Sequence, residues 1–212
     1  MSSPCSTPSP LSSPSELLHP TRVLLLLSPQ NGPLSLPPTG VPAAPALREN
    51  IARILAEARA APPPHRPRII HVRNNGDVGE HDEPQTRGWQ LHFPPRLLPP
   101  DGGEQEYVID KAKNNAFAGT QLGSLVPKDA EIVVVGTQSD FCVRATCSAA
   151  LGRGNEVLLV KGAHGTYDRM EVWNGGGITE AAKIESEIEA ELEEAGVVVL
   201  SMEDVPGLFT DR

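Results

Sequence analysis

The chain has 212 residues and a formal net charge of -9, enough length to bury one substantial core and no sign of a second domain. The acidic balance, with no Lys/Arg-rich run, argues against a nucleic-acid surface, and no stretch approaches the roughly 20 apolar residues needed to cross a bilayer. Three cysteines, an odd number with Cys142 and Cys147 in one expected helix, make a poor disulfide framework; the reading is a cytoplasmic protein acting on small molecules, with no nucleic-acid or membrane partner.

Residues 1–20 are dominated by Ser and Pro and lack the basic start and apolar centre of a signal peptide, so they read as a disordered tail before one domain over 21–212. Beyond the tail, short apolar runs alternate with helical patterns. That alternation is the signature of parallel strands covered on both faces, an α/β doubly wound sheet. Residues 22–27 read as the first strand. Leu47, Ile51, Ile54, Leu55 and Ala58 mark a helix, stopped by Pro62, Pro63 and Pro64. Residues 68–72 read as the second strand. The polar, Gly/Pro-rich segment 74–100, carrying Trp89 and Phe93, is a loop of a length that is often functional. Residues 106–110, 131–136, 156–160 and 197–200 complete six strands. The last helix is expected over 178–195, with Ala181, Ile184, Ile188 and Leu192 inward. Its glutamates (185, 187, 189, 191, 193 and 194) read as a solvated face.

In an open parallel sheet, ligands bind beyond the carboxyl ends of the strands, so reactive residues should follow strands directly. Ser28, Lys111, Cys142 and His164 do so. Cys142 is placed in the first turn of a helix by the helical spacing of Val143, Thr146, Cys147, Ala150 and Leu151. Unpaired N–H groups and the helix dipole there favour a thiolate. A buried structural cysteine is the alternative. Lys111 offers a cation to hold such a thiolate and to stabilise negative charge on an acyl carbon becoming tetrahedral.

The segment Lys111-Ala112-Lys113-Asn114-Asn115-Ala116-Phe117-Ala118-Gly119-Thr120 resembles the lysine motif of the isochorismatase-like cysteine hydrolases. Gly136-Thr137-Gln138-Ser139-Asp140-Phe141-Cys142-Val143-Arg144-Ala145-Thr146 is similar to the nucleophile motif of that family. Residues 24–31, ending Ser28-Pro29-Gln30-Asn31, resemble its opening strand and Asp-x-Gln-Asn turn. The resemblance implies a three-layer αβα fold with a six-stranded parallel sheet, usually assembled as a homo-oligomer. It also implies attack by Cys142 on an amide or related C–N bond, an acyl-enzyme and its release by water, with no cofactor. A cis peptide is implied at Gln138–Ser139, and an oxyanion hole from the N–H groups of Ser139 and Cys142.

One position departs from the family pattern. Where the family carries an aspartate this chain has Ser28, whose hydroxyl cannot take a thiol proton at neutral pH as a carboxylate can. The protein is then a cysteine hydrolase with a substitute proton carrier, for which Asp110, Asp140, His164 and Asp168 are the sequence candidates, a binding protein that keeps the pocket without turnover, or a metal-dependent hydrolase. His71, His81, Asp82 and His92 have spacings that match no closed zinc pattern, and no metal is assigned. Gln30, Trp89, Asn115, Phe117, Gln138 and Tyr167 are the expected pocket-lining residues.

Overall fold

The computed structural model describes residues 22–97, 105–172 and 175–210; the Ser/Pro segment read as a tail lies outside them. Six parallel strands form one sheet: β1 (Arg22–Leu27), β2 (Arg68–Asn74), β3 (Tyr107–Lys111), β4 (Glu131–Thr137), β5 (Glu156–Gly165) and, last in the chain, β8 (Val198–Leu200). Their spatial order is β3-β2-β1-β4-β5-β8. Strand order reverses between β1 and β4, so a crevice opens beyond their carboxyl ends.

Both sheet faces are covered, which is why the strands read as continuous apolar runs. Side chains alternate across a strand. Leu24 and Leu26 therefore pack on one face against Leu47, Ile51, Ile54 and Ala58 of α1 (Ala44–Ala60). Val23, Leu25 and Leu27 point the other way, into a cluster with Val143, Cys147, Ala150, Ile184, Ile188 and Leu192. Val143 ends the turn before α3 (Arg144–Arg153), Cys147 and Ala150 lie on α3 and the last three on α4 (Ala181–Glu194), while α2 (Leu122–Leu125) is a single short turn after β3. Each fully buried Leu of β1 contributes about 1.5–3 kcal/mol over leaving it exposed. The inner strands are thus the most strongly determined part of the fold. Gly136 lets β1 and β4 approach. Its φ is +126°, and a Cβ there would sit 1.9 Å from the Leu27 carbonyl oxygen.

The last helix begins three residues later than its apolar pattern suggests. Glu180 is extended, and Ile178–Thr179 form a short strand β7 paired antiparallel with β6 (Arg169–Met170). The Asp168 carboxylate accepts from the Ala181 N–H (2.8 Å) and so supplies the cap that fixes the start. The glutamate face is not uniformly solvated either. Glu189 is buried and pairs with Lys161 (2.9 Å) and His164 (3.3 Å), and the Glu185 carboxylate accepts from the Thr166 N–H (3.1 Å). Burial pushes Glu185 up, whereas at Glu189 the opposing burial is outweighed by the His164 and Lys161 bonds, which hold it down.

Candidate active site

The fold brings Lys111 and Cys142 into direct contact. Lys111 is the last residue of β3, and its Nζ donates to Cys142 Sγ at 3.0 Å and to Asn74 Oδ1 at 2.7 Å. Both residues are buried, Lys111 to within 2%. A lysine carried that deep needs partners that replace its hydration, and the Cys142 sulfur and the Asn74 amide oxygen supply them. Asn74 ends β2, so the ends of β3 and β2 and the turn after β4 build the contact across the end of β1.

Cys142 lies one turn ahead of the expected position. The segment Ser139–Val143 forms a π-helical turn, and α3 begins only at Arg144. The Gln138 carbonyl accepts from the N–H groups of Phe141 (3.2 Å) and Val143 (3.1 Å), which widens the turn and holds the thiol at the cleft floor. Cys147, one turn further on, is fully buried, and burial pushes its thiol up to about 12. The cis bond precedes Gln138 instead of Ser139: it joins Thr137 to Gln138, one residue earlier than the motif implied.

A cleft of about 380 Å³ opens over the thiol, lined by Asn74, Glu80, His81, Asp82, Asn114, Gln138, Phe141 and Cys142. Glu80 and His81 are also the wall shared with a larger cleft of about 720 Å³, on which Arg48, Arg87 and His92 lie. Asp82 is buried and its Oδ2 accepts from Asn74 Nδ2 (2.7 Å). An asparagine whose amide nitrogen is held by a carboxylate must turn its oxygen the other way, here onto Lys111. The result is a continuous line of contacts from Asp82 through Asn74 and Lys111 to Cys142. Burial, which disfavours the charged form of Asp82, is outweighed by the His81 and Asn74 contacts, and its carboxyl is held below the usual range.

Other expected residues fall differently. Ser28 is buried at the end of β1 in a left-handed conformation (φ +48°), and its hydroxyl has no hydrogen-bond partner among the described residues. Gln138 lines the cleft. Gln30 is fully buried and its amide is spent on backbone, donating to the carbonyls of Asn74 (3.0 Å) and Trp89 (3.1 Å) and accepting from the Asn74 N–H (2.7 Å). It joins β2 to the long loop. Trp89 donates to Asn75 Oδ1 (2.7 Å) beneath the Arg73 guanidinium. Asn115 accepts from the Phe117 N–H, Phe117 packs on the core under Arg153, and Tyr167 donates to the Thr39 carbonyl. None of these five is among the residues lining the cleft over Cys142.

The sequence candidates for proton transfer are likewise engaged elsewhere. Asp110 pairs with Arg73, Asp140 with Thr166 and Arg169, and Asp168 with the start of α4. His164 is buried between Ser139 Oγ (2.9 Å) and Glu189 (3.3 Å). The histidines read against zinc spacings separate as well: His71 contacts Glu106 (2.9 Å), His92 contacts Asn31 (2.9 Å), and His81 faces Asp82 (3.3 Å). Among the described residues no three His, Cys, Asp or Glu side chains gather as metal ligands. Asn74, Asn114, Phe141 and Glu80 escaped sequence reasoning as lining residues. For Asn74 a signal existed, since it stands at a strand end where the other reactive residues were sought.

Comparison with known proteins agrees with this architecture. Residues 22–176 match the isochorismatase domain. A streptothricin hydrolase of Streptomyces noursei is 40% identical over 117 residues, covering 54% of this chain and 43% of that protein, so the chain spans less than half of the relative. An isochorismatase structure from Pseudomonas putida superposes with a TM-score of 0.70 at 29% identity, covering 91% of this chain and 93% of that one. An isochorismatase hydrolase structure from Oleispira antarctica matches in fold with a TM-score of 0.73 at 24% identity, covering 92% and 100%. No helix among the described residues is long and apolar enough to cross a membrane. With its six-stranded parallel sheet and a domain match over most of its length, the chain belongs to the isochorismatase family of hydrolases.

Proposed function

We propose that the protein is a cysteine hydrolase that cleaves an amide, a related C–N bond or an activated acyl bond of a small molecule through an acyl-enzyme on Cys142. The observation that carries this reading is the 3.0 Å contact between a buried lysine and a thiol facing a cleft. A buried ammonium next to sulfur stabilises the thiolate, which is the nucleophilic form. The sulfur attacks the carbonyl carbon, the N–H groups of Ser139 and Cys142 receive the developing oxyanion, and the amine departs with a proton. Water then cleaves the thioester and returns the thiolate. The streptothricin hydrolase relative supports a small-molecule substrate.

One observation favours a second reading. Ser28 holds the place of the family's aspartate and its hydroxyl hydrogen-bonds to neither Lys111 nor Cys142, which fits a binding protein without turnover. A panel of small amides and activated esters, assayed with wild type and Cys142→Ala, separates the two. The hydrolase reading expects turnover that the substitution abolishes. Ligand binding with no turnover above that of Cys142→Ala would establish the alternative.

A further inference from the structure

The cysteine mechanism leaves one proton without an owner. When the C–N bond breaks, the nitrogen must be protonated, and neither the Ser28 hydroxyl nor an engaged His164 is placed to do it. Among the described residues, the titratable side chains that line the cleft with Cys142 are Glu80, His81 and Asp82. Asp82 is bonded to Asn74 and held in its ionised form, so it has no proton to give. Glu80 is exposed and its carboxylate accepts from the Asp77 N–H (3.0 Å). His81 is different: its ring is partly exposed to the cleft, and its Nδ1 lies 3.3 Å from Asp82 Oδ1.

We propose that His81 is the proton donor to the leaving nitrogen, with Asp82 as the residue that positions its ring. The inference rests on the cysteine-hydrolase reading above. With Nδ1 facing Asp82, Nε2 carries the proton that moves to nitrogen as the C–N bond breaks and the carbonyl re-forms as a thioester. Neutral His81 then takes a proton from water as its oxygen attacks the thioester carbon. The C–S bond breaks, the acid leaves, and both the thiolate and the imidazolium are restored. Asp82 serves both halves of the site, because its other oxygen orients Asn74 toward Lys111.

The loop is shaped around this pair. A Cβ at Gly88 would lie 1.8 Å from the His81 carbonyl oxygen, one at Gly32 would lie 3.2 Å from the His81 ring, and one at Gly76 would lie 2.0 Å from Asp82 Oδ1. A side chain at Gly88 would displace the His81 backbone, and side chains at Gly32 and Gly76 would press on the His81 ring and the Asp82 carboxylate. The groups facing His81 are Asp82 and Glu80 on its own loop, the stacked Tyr167 ring at 6.0 Å, and Arg48, Arg87 and His92 across the adjoining cleft. The Asp82 contact outweighs burial, and His81 is raised above its ordinary 6.5.

The test compares p-nitrophenyl acetate with p-nitroacetanilide, which share an acyl group but differ in whether the leaving atom needs a proton. In wild type and His81→Gln, rates are followed across pH together with the mass of the acylated chain. General-acid assistance is worth about 10²–10⁴-fold, so the anilide rate of His81→Gln should fall about 100-fold and the anilide-to-ester ratio at least tenfold. The wild-type anilide rate should decline as pH rises through the His81 titration, and the substitution should remove that decline. Equal losses on both probes, or none, would overturn the role of His81 while leaving Cys142 acylation intact. Absence of any ester-derived acyl group on Cys142 in wild type would overturn the cysteine reading and this inference with it. The residual ester rate reports that the variant is folded.

Discussion

Replacing Lys111 with methionine removes the Nζ donor while keeping an unbranched side chain of similar length, and the structure sets the size of the effect. Nζ makes two contacts, 3.0 Å to Sγ and 2.7 Å to Asn74 Oδ1. A hydrogen bond to a charged group contributes about 1.5–3 kcal/mol, so loss of the first should lower the reactive thiolate population about 10–100-fold. The bare Coulomb attraction at this distance is larger, roughly 5 kcal/mol at an effective dielectric of 20, but desolvation of the buried ammonium offsets much of it. Loss of the second contact strands an amide oxygen on Asn74 that is only partly buried, costing about 1 kcal/mol of stability, too little to unfold a domain of this size. The assay is the rate of iodoacetamide labelling at Cys142 at pH 7, read by peptide mass spectrometry. Cys147, fully buried, serves as the unreactive internal reference. Slowing of 10–100-fold at Cys142 with a thermal midpoint within a few degrees of wild type is expected. Labelling at the wild-type rate would refute the reasoning, because the ammonium would then have no hold on the sulfur.

Other consequences follow from the fold. Glu106, buried beneath the long loop, is drawn down to about 2: burial opposes ionisation but is outweighed by the bonds from His71 and Arg59. A carboxyl lowered from 4.5 in this way stabilises the native state fully above pH 4.5 and loses that contribution as pH falls toward 2. The amount is about 3 kcal/mol. Urea unfolding between pH 6 and 2.5 should therefore show a weaker acid dependence in Glu106→Gln than in wild type, and equal slopes would contradict the assignment. Gly136→Ala should destabilise by on the order of 3 kcal/mol, since its Cβ would meet the Leu27 carbonyl and φ is +126°. A loss below about 1 kcal/mol would mean that β1 and β4 separate freely at the cleft.

The sheet was legible because the inner strands are buried on both faces, and 22–27 was bounded as observed. The start of the last helix was not, because its first turn is fixed by Asp168, a contact that no local pattern carries. The same distinction holds at the site. Lys111 and Cys142 announced themselves by following strands. Asp82 and His81 lie in a loop without periodicity, and their approach to Cys142 depends on Gln30 pinning that loop to β2 and on glycines at 32, 76 and 88. Likewise, Glu189 belongs by sequence to a run of solvated glutamates. Only the packing of α4 against β5 gives it Lys161 and His164 as partners.

The most direct test of the central claim is capture of the covalent intermediate. The protein is mixed with p-nitrophenyl acetate, quenched in acid within seconds and mapped by peptide mass spectrometry. A single acetyl group on Cys142, absent from Cys147 and lost on longer incubation as water completes the cycle, is the predicted result. An unmodified Cys142 during ester turnover, or an acetyl group that persists there without turnover, would contradict it.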